Sequence, residues 1–197
     1  MTRKMGKGGG SSPSGEGRGE PGARGARPGR AGEGGPTGHQ TGKPLVGIVY
    51  GSTSDETVMR ECAEVLETFG VPFEMKLLSA HRMPEATGNY ARGARRRGLK
   101  VLVGGAGMAA HLPGTIASLT TLPVIGVPLC GSALEGQDAL LSMVQMPAGV
   151  PVATVAVGKA GAKNAAILAV QMLALGDPLL IRRLDDLKAR MEKGQKI

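Results

Sequence analysis

The sequence predicts an α/β protein built on an open, doubly wound parallel sheet of about five strands, with helices on both faces and a C-terminal amphipathic helix. Three observations carry this. From residue 45 onward, short apolar runs of strand length alternate with longer helical patterns. The apolar runs are continuous rather than alternating, as expected of strands buried on both faces. Aromatic residues are nearly absent, with no Trp, two Tyr and two Phe. The core must therefore be made of Ala, Val, Leu, Ile and Met, which suits strands sandwiched between helices.

The elements follow in order. LVGIVY (45–50) is the first strand, and a helix over 56–69 sets Val58, Met59, Cys62, Val65, Leu66 and Phe69 on one face before Gly70 and Pro72 end it. FEMKLLS (73–79) is the second strand. The second helix opens on Pro84, a favoured first-turn residue, and runs to about Arg97. KVLVGG (100–105) precedes a helix that starts at Ala109 or Pro113 and ends at Ser118. VIGV (124–127) leads to a helix over 139–144, and PVATVAV (151–157) to an apolar helix over 160–175. After Gly176-Asp177-Pro178 a charged amphipathic helix closes the chain. Strands and helices at this spacing make right-handed βαβ units.

The 197 residues suffice for one domain, and composition places its start at residue 43. Residues 1–42 are rich in Gly, Pro, Ser and Arg, with no Val, Ile, Leu or aromatic residue. Such a segment cannot bury enough apolar surface to offset the entropy of ordering, and is expected to be disordered. Much of the net charge of +8 lies there. The first 43 residues hold eight basic and three acidic residues, against sixteen and thirteen in the rest. The domain is thus only mildly basic, as suits an enzyme of anionic substrates. The tail has no interleaved aromatics for base stacking, so nucleic acid is not the expected partner, although an Arg/Gly tail can bind RNA weakly. Cys62 and Cys130 lack metal-site spacing and read as reduced residues of a cytoplasmic protein. No apolar run approaches the roughly 20 residues of a membrane span, and no apolar segment follows the basic N-terminus as in a secretory leader.

In doubly wound sheets ligands bind beyond the carboxyl ends of the strands, so the residues just after each strand carry the functional information. GSTSD (51–55) brings Ser52, Ser54 and Asp55 to a helix start. There they can hold a phosphate or sugar hydroxyls, or simply cap the helix. SAHRMP (79–84) sets Ser79, His81 and Arg82 at a strand end. An imidazole titrating near neutrality suits proton transfer, and a guanidinium forks onto phosphate or carboxylate. A histidine satisfied by local hydrogen bonds is the competing reading. GAGMAAHLPG (105–114) offers Gly105 and Gly107 for close backbone approach, but does not match GxGxxG, because Ala110 stands at the third glycine. His111 either lines the pocket or caps the helix. Arg92, Arg95, Arg96 and Arg97 read as a solvated face of the second helix.

Together with LPVIGVP, SMVQMPAGVPVATVAVGKAGAKNAA and the last helix, these loops resemble the 5-(carboxyamino)imidazole ribonucleotide mutase family, also called the catalytic subunit of phosphoribosylaminoimidazole carboxylase. The resemblance spans residue 45 to the C-terminus. It implies a three-layer α/β/α, flavodoxin-like fold, a homo-octamer with sites at subunit contacts, and a reaction of purine biosynthesis needing neither metal nor other cofactor. The partners it implies are an aminoimidazole ribonucleotide and a trapped carbon dioxide. It assigns ribonucleotide binding to Ser52, Asp55 and Arg82 with Ser54 and Ser79 as helpers, catalysis to His81, and closure over the carboxylate to the loop of Gly105–Pro113 that contains Gly107 and His111.

A second branch of the family, typical of animals, carboxylates aminoimidazole ribonucleotide directly and carries Lys after the histidine. Arg82 and AAHLPG place this chain with the mutases. It departs from the family pattern at Met108, where Gly is common, at Glu56, where Trp is frequent, and at Cys130-Gly131 in the fourth loop. A rival non-catalytic reading, a flavodoxin-like domain holding flavin mononucleotide, would draw on aromatic stacking, for which only Tyr50 and Tyr90 are available.

Overall fold

The computed structural model describes residues 42–195; the tail assigned to residues 1–42 lies outside them apart from Gly42. Five parallel strands, β1 (Val46–Tyr50), β2 (Phe73–Leu77), β3 (Val101–Gly107), β4 (Val124–Leu129) and β5 (Ala153–Thr154), stand in the order β2-β1-β3-β4-β5. Six helices accompany them: α1 (Glu56–Thr68), α2 (Pro84–Arg97), α3 (Leu112–Ala117), α4 (Gln137–Val144), α5 (Lys159–Ala174) and α6 (Pro178–Glu192).

Strand pleating sorts the apolar runs into two cores. Val46, Ile48 and Tyr50 of β1 face a cluster shared with α1, α5 and α6, while Val49 faces one shared with α2, α3 and α4. The same division separates Val101 and Val103 from Leu102 in β3. Helices thus cover both faces, which gives three layers and explains the continuous apolar runs. Each fully buried Ile, Leu or Val side chain contributes about 1.5–3 kcal/mol. On α5, Ala162, Ala165, Ala166 and Ala169 form a stripe of small buried residues that lets the helix lie close against its neighbours. No helix among the described residues is long and apolar enough to cross a membrane.

One expectation fails. The run PVATVAV was expected to form a full strand, but β5 has only two residues, paired with Ile125 and Gly126. The cause lies across the sheet. Val155 N–H still donates to Gly126 O at 3.0 Å, but the next amide facing β5 belongs to Pro128, which has no hydrogen to give. The ladder stops there, and Gly158 N–H alone reaches Pro128 O, at 2.8 Å.

The chain passes from β1 outward to β2, then crosses back to add β3 on the other side of β1. This reversal opens a crevice beyond the carboxyl ends of β1 and β3.

Candidate active site

Three loops meet at that crevice. After β1, Gly51 N–H donates to Gly105 O at 3.2 Å, tying the first loop to β3. The loop turns through a short 3-10 segment (Thr53–Asp55) into α1, with Ser52 Oγ and Ser54 Oγ 3.0 Å apart. Neither Ser52 nor Asp55 caps the turn it precedes with its side chain. The helix-capping reading of GSTSD is therefore not realised; these polar groups instead meet one another at the mouth of the crevice.

Burial lifts the Asp55 carboxyl above its ordinary 3.8, against the pull of the Ser52 and Gly51 backbone, the Ser54 hydroxyl and Arg82. Because folding raises this pKa, the native state holds the proton more tightly than the unfolded chain. The resulting stabilisation is complete below pH 3.8 and is lost as pH rises through the raised value. We expect Asp55→Asn to raise the thermal midpoint of the ligand-free protein at neutral pH. Unfolding followed across the acid range should show that advantage vanish toward pH 3.8. An advantage independent of pH would assign the effect to something other than this carboxylate.

In the second loop, Ser79 is buried and its hydroxyl accepts the Arg82 N–H at 3.2 Å. Its carbonyl accepts from Met83 N–H at 2.8 Å and from the buried Thr87 hydroxyl at 3.3 Å. Ser79 thus shapes the turn that presents His81 and Arg82, both exposed. Arg82 reaches back with Nη2 to Gly51 O, 3.3 Å away, and so bridges the first and second loops.

His111, at the start of α3, does not cap that helix. Its Nδ1 lies 2.8 Å from His81 Nε2, with the rings edge-to-face at 4.9 Å between centroids. Of the two roles left open for His111, the capping one is not realised, and the side chain meets His81. One of the two nitrogens donates and the other accepts, so the pair shares a single hydrogen. Between these residues the loop carries Met108 at φ 56, the left-handed region that glycine adopts freely. The departure from Gly at that position is accommodated with the side chain 60% exposed.

The glycines of this loop also serve packing. A Cβ at Gly105 would lie 2.3 Å from Met59 Sδ, and one at Gly104 would lie 3.1 Å from the Pro113 ring. At Gly107 it would lie 3.2 Å from Leu129 O. The loop is held tight by its neighbours in the sheet and in α1.

Sequence reasoning missed the support beneath the first loop. Glu56 pairs with Arg60 at 2.5 Å on α1, and the Tyr50 hydroxyl, whose pKa is raised first by burial and then by Glu56, sits at the same junction. The i, i+4 spacing of Glu56 and Arg60 was the available signal. Cys62 is buried, its thiol pushed up to about 12, and takes no part. Among the described residues, no group of three or more His, Cys, Asp or Glu is placed to hold a metal ion.

The site therefore offers a histidine pair that can move a proton, a guanidinium for an anion, and hydroxyls with a carboxylate for polar ligand groups. The family model described as AIR carboxylase matches residues 45–194. The N5-carboxyaminoimidazole ribonucleotide mutase of Pyrococcus horikoshii is 55% identical over 158 residues, covering 78% of this chain and 88% of the relative. The protein of that name from Bacillus subtilis is 56% identical over 144 residues, covering 73% and 89%. The crystal structure of Treponema denticola PurE superposes with a TM-score of 0.65 at 29% identity, covering 77% of this chain and 91% of that one. With a family model spanning well over half its length and relatives above 50% identity, the chain belongs to the AIR carboxylase family.

Proposed function

We propose that this chain is an N5-carboxyaminoimidazole ribonucleotide mutase of purine biosynthesis, with residues 43–197 as its catalytic domain and His81 as its proton carrier. The observation that carries the reading is the 2.8 Å bond between His81 and His111, set beside Arg82 at the carboxyl edge of the sheet.

The chemistry balances on one proton. The carbamate C–N bond breaks, carbon dioxide leaves, and the exocyclic amine gains a proton from His81. The ring carbon next to that amine then attacks the trapped carbon dioxide, and His81 takes the proton this carbon loses. Each turnover returns the imidazole to its starting state. With Nε2 taken by His111, His81 meets the substrate through Nδ1, so Nε2 keeps its hydrogen and donates to His111 Nδ1 both while His81 is the acid and while it is the base. Retaining both fragments makes recombination effectively unimolecular, which needs a small closed cavity. Ala106, Ala109 and Ala110 give the third loop the small side chains for it. Arg82 suits the ribonucleotide phosphate, while Ser52, Ser54 and Asp55 suit the ribose, and Ser79, Gly107 and His111 shape the pocket.

We assign the chain to a cytoplasmic homo-octamer, as the family resemblance implies. Leu134, Leu141 and Val144 around α4 and Leu179 and Ile181 on α6 are exposed in the single chain, and supply apolar surface for subunit contacts.

The decisive assay supplies N5-carboxyaminoimidazole ribonucleotide without ATP or added bicarbonate. Conversion to 4-carboxy-5-aminoimidazole ribonucleotide is the expected result. Product formed only from aminoimidazole ribonucleotide and bicarbonate would make the chain a direct carboxylase instead.

A further inference from the structure

The four arginines of α2 do not form one solvated face. Arg97 turns to the Tyr90 ring, 4.4 Å from its centroid, and pairs with Glu74 at 3.3 Å. Arg92, Arg95 and Arg96, spaced i, i+3 and i+4, turn the other way. With Ser118, Leu119, Thr120 and Thr121 they line a cleft of about 520 Å³. That volume lies within the range of small-molecule sites.

The cleft is remote from the candidate active site. Helix α2 begins beside the carboxyl ends of the strands and runs back toward their amino ends, and residues 118–121 lead into the start of β4. The two sites therefore occupy opposite edges of the sheet.

Two of the three guanidinium groups are seated against the protein. Arg95 Nη2 donates to Thr121 O at 3.3 Å. Arg92 lies over Gly88, where a Cβ would come within 2.9 Å of its Nη1 and 3.6 Å of Leu119 Cδ1. The missing side chain at position 88 thus makes the seat. No carboxylate lines the cleft, and among the described residues none of the ion pairs includes Arg92, Arg95 or Arg96. Arginines in the last turn do offset the negative end of a helix, but Arg92 stands above that turn. Thr120 Oγ1 accepts the Leu122 N–H at 3.2 Å, which leaves its own hydrogen free to donate. Three guanidinium groups without an ion-pair partner, of which Arg95 also donates to Thr121 O, and a hydroxyl donor in one concavity match the oxygens of a phosphate chain.

We propose that the cleft between α2 and residues 118–121 binds a ligand carrying two or more phosphate charges, at a site separate from the one that performs the proposed reaction. The test is calorimetric titration of the full chain with pyrophosphate and with ADP at physiological salt. It compares the wild type with Arg92→Gln/Arg96→Gln and with a charge-matched control, Arg182→Gln/Lys188→Gln, on α6. The probes can also enter the active site and meet the arginine-rich N-terminal segment, so the readout is the difference between variants. The wild type and the control should share a binding component that the α2 variant binds about tenfold or more weakly, as for the loss of a charge-assisted contact. Mutase turnover should stay unchanged in all three. Loss for both probes assigns the site to phosphate groups as such, and loss for ADP alone to nucleoside polyphosphates. Superposable isotherms, or an equal loss in the α6 control, would overturn the proposal.

Discussion

Replacing His81 by asparagine should lower turnover by about 10²–10⁴-fold, the usual contribution of one positioned acid–base group, with little change in KM or unfolding midpoint. His81 is exposed, so its loss opens no core cavity, and asparagine keeps a polar amide facing His111 Nδ1. In the proposed mechanism, what disappears is the one group that would take a proton from the ring carbon and return it to the amine. Arg82 and the first loop, which would hold the ribonucleotide, stay in place, so binding should persist. A rise in KM with unchanged kcat would instead make His81 a binding residue. Wild-type turnover would remove it from the mechanism altogether.

The sequence carried most of the fold because strands buried on both faces write themselves as unbroken apolar runs, as VGIVY does in β1. It misjudged β5 because that strand's length is set elsewhere, by the missing amide of Pro128 on β4. The site was legible as three loops at strand ends. What each polar group does there was not, since a serine or aspartate before a helix usually reads as a cap. The structure shows no side-chain cap at Ser52 or Asp55. It also divides the arginines of α2, which depends on Gly88 and on a loop some 30 residues downstream, beyond any local pattern.

Gly161 shows the same dependence on distant context, and here the expected effect is on stability. In a helix interior, replacing glycine by alanine ordinarily stabilises by about 0.5–1 kcal/mol, because alanine loses less backbone freedom on folding. At Gly161 the sign should reverse. An added Cβ would lie 1.6 Å from Ala156 O and 2.6 Å from Ala156 C, and these are backbone atoms with no rotamer to escape into. Either the first turn of α5 must lift away, or the 155–158 segment must move. That segment is held by Val155 N–H to Gly126 O at 3.0 Å and Gly158 N–H to Pro128 O at 2.8 Å, while Gly158 O receives the α5 amide of Ala162 at 3.0 Å. Lifting α5 would also open the alanine stripe buried in the core it shares with α1. We expect Gly161→Ala to destabilise the protein by about 3 kcal/mol, the upper end of ordinary overpacking, measured as a lower denaturant midpoint. Gly176 is the matched control, with open space around its Cβ and no left-handed backbone, so Gly176→Ala should be neutral or slightly stabilising. Equal midpoints for the two variants would mean that α5 does not approach the 155–158 segment as closely as its glycine permits.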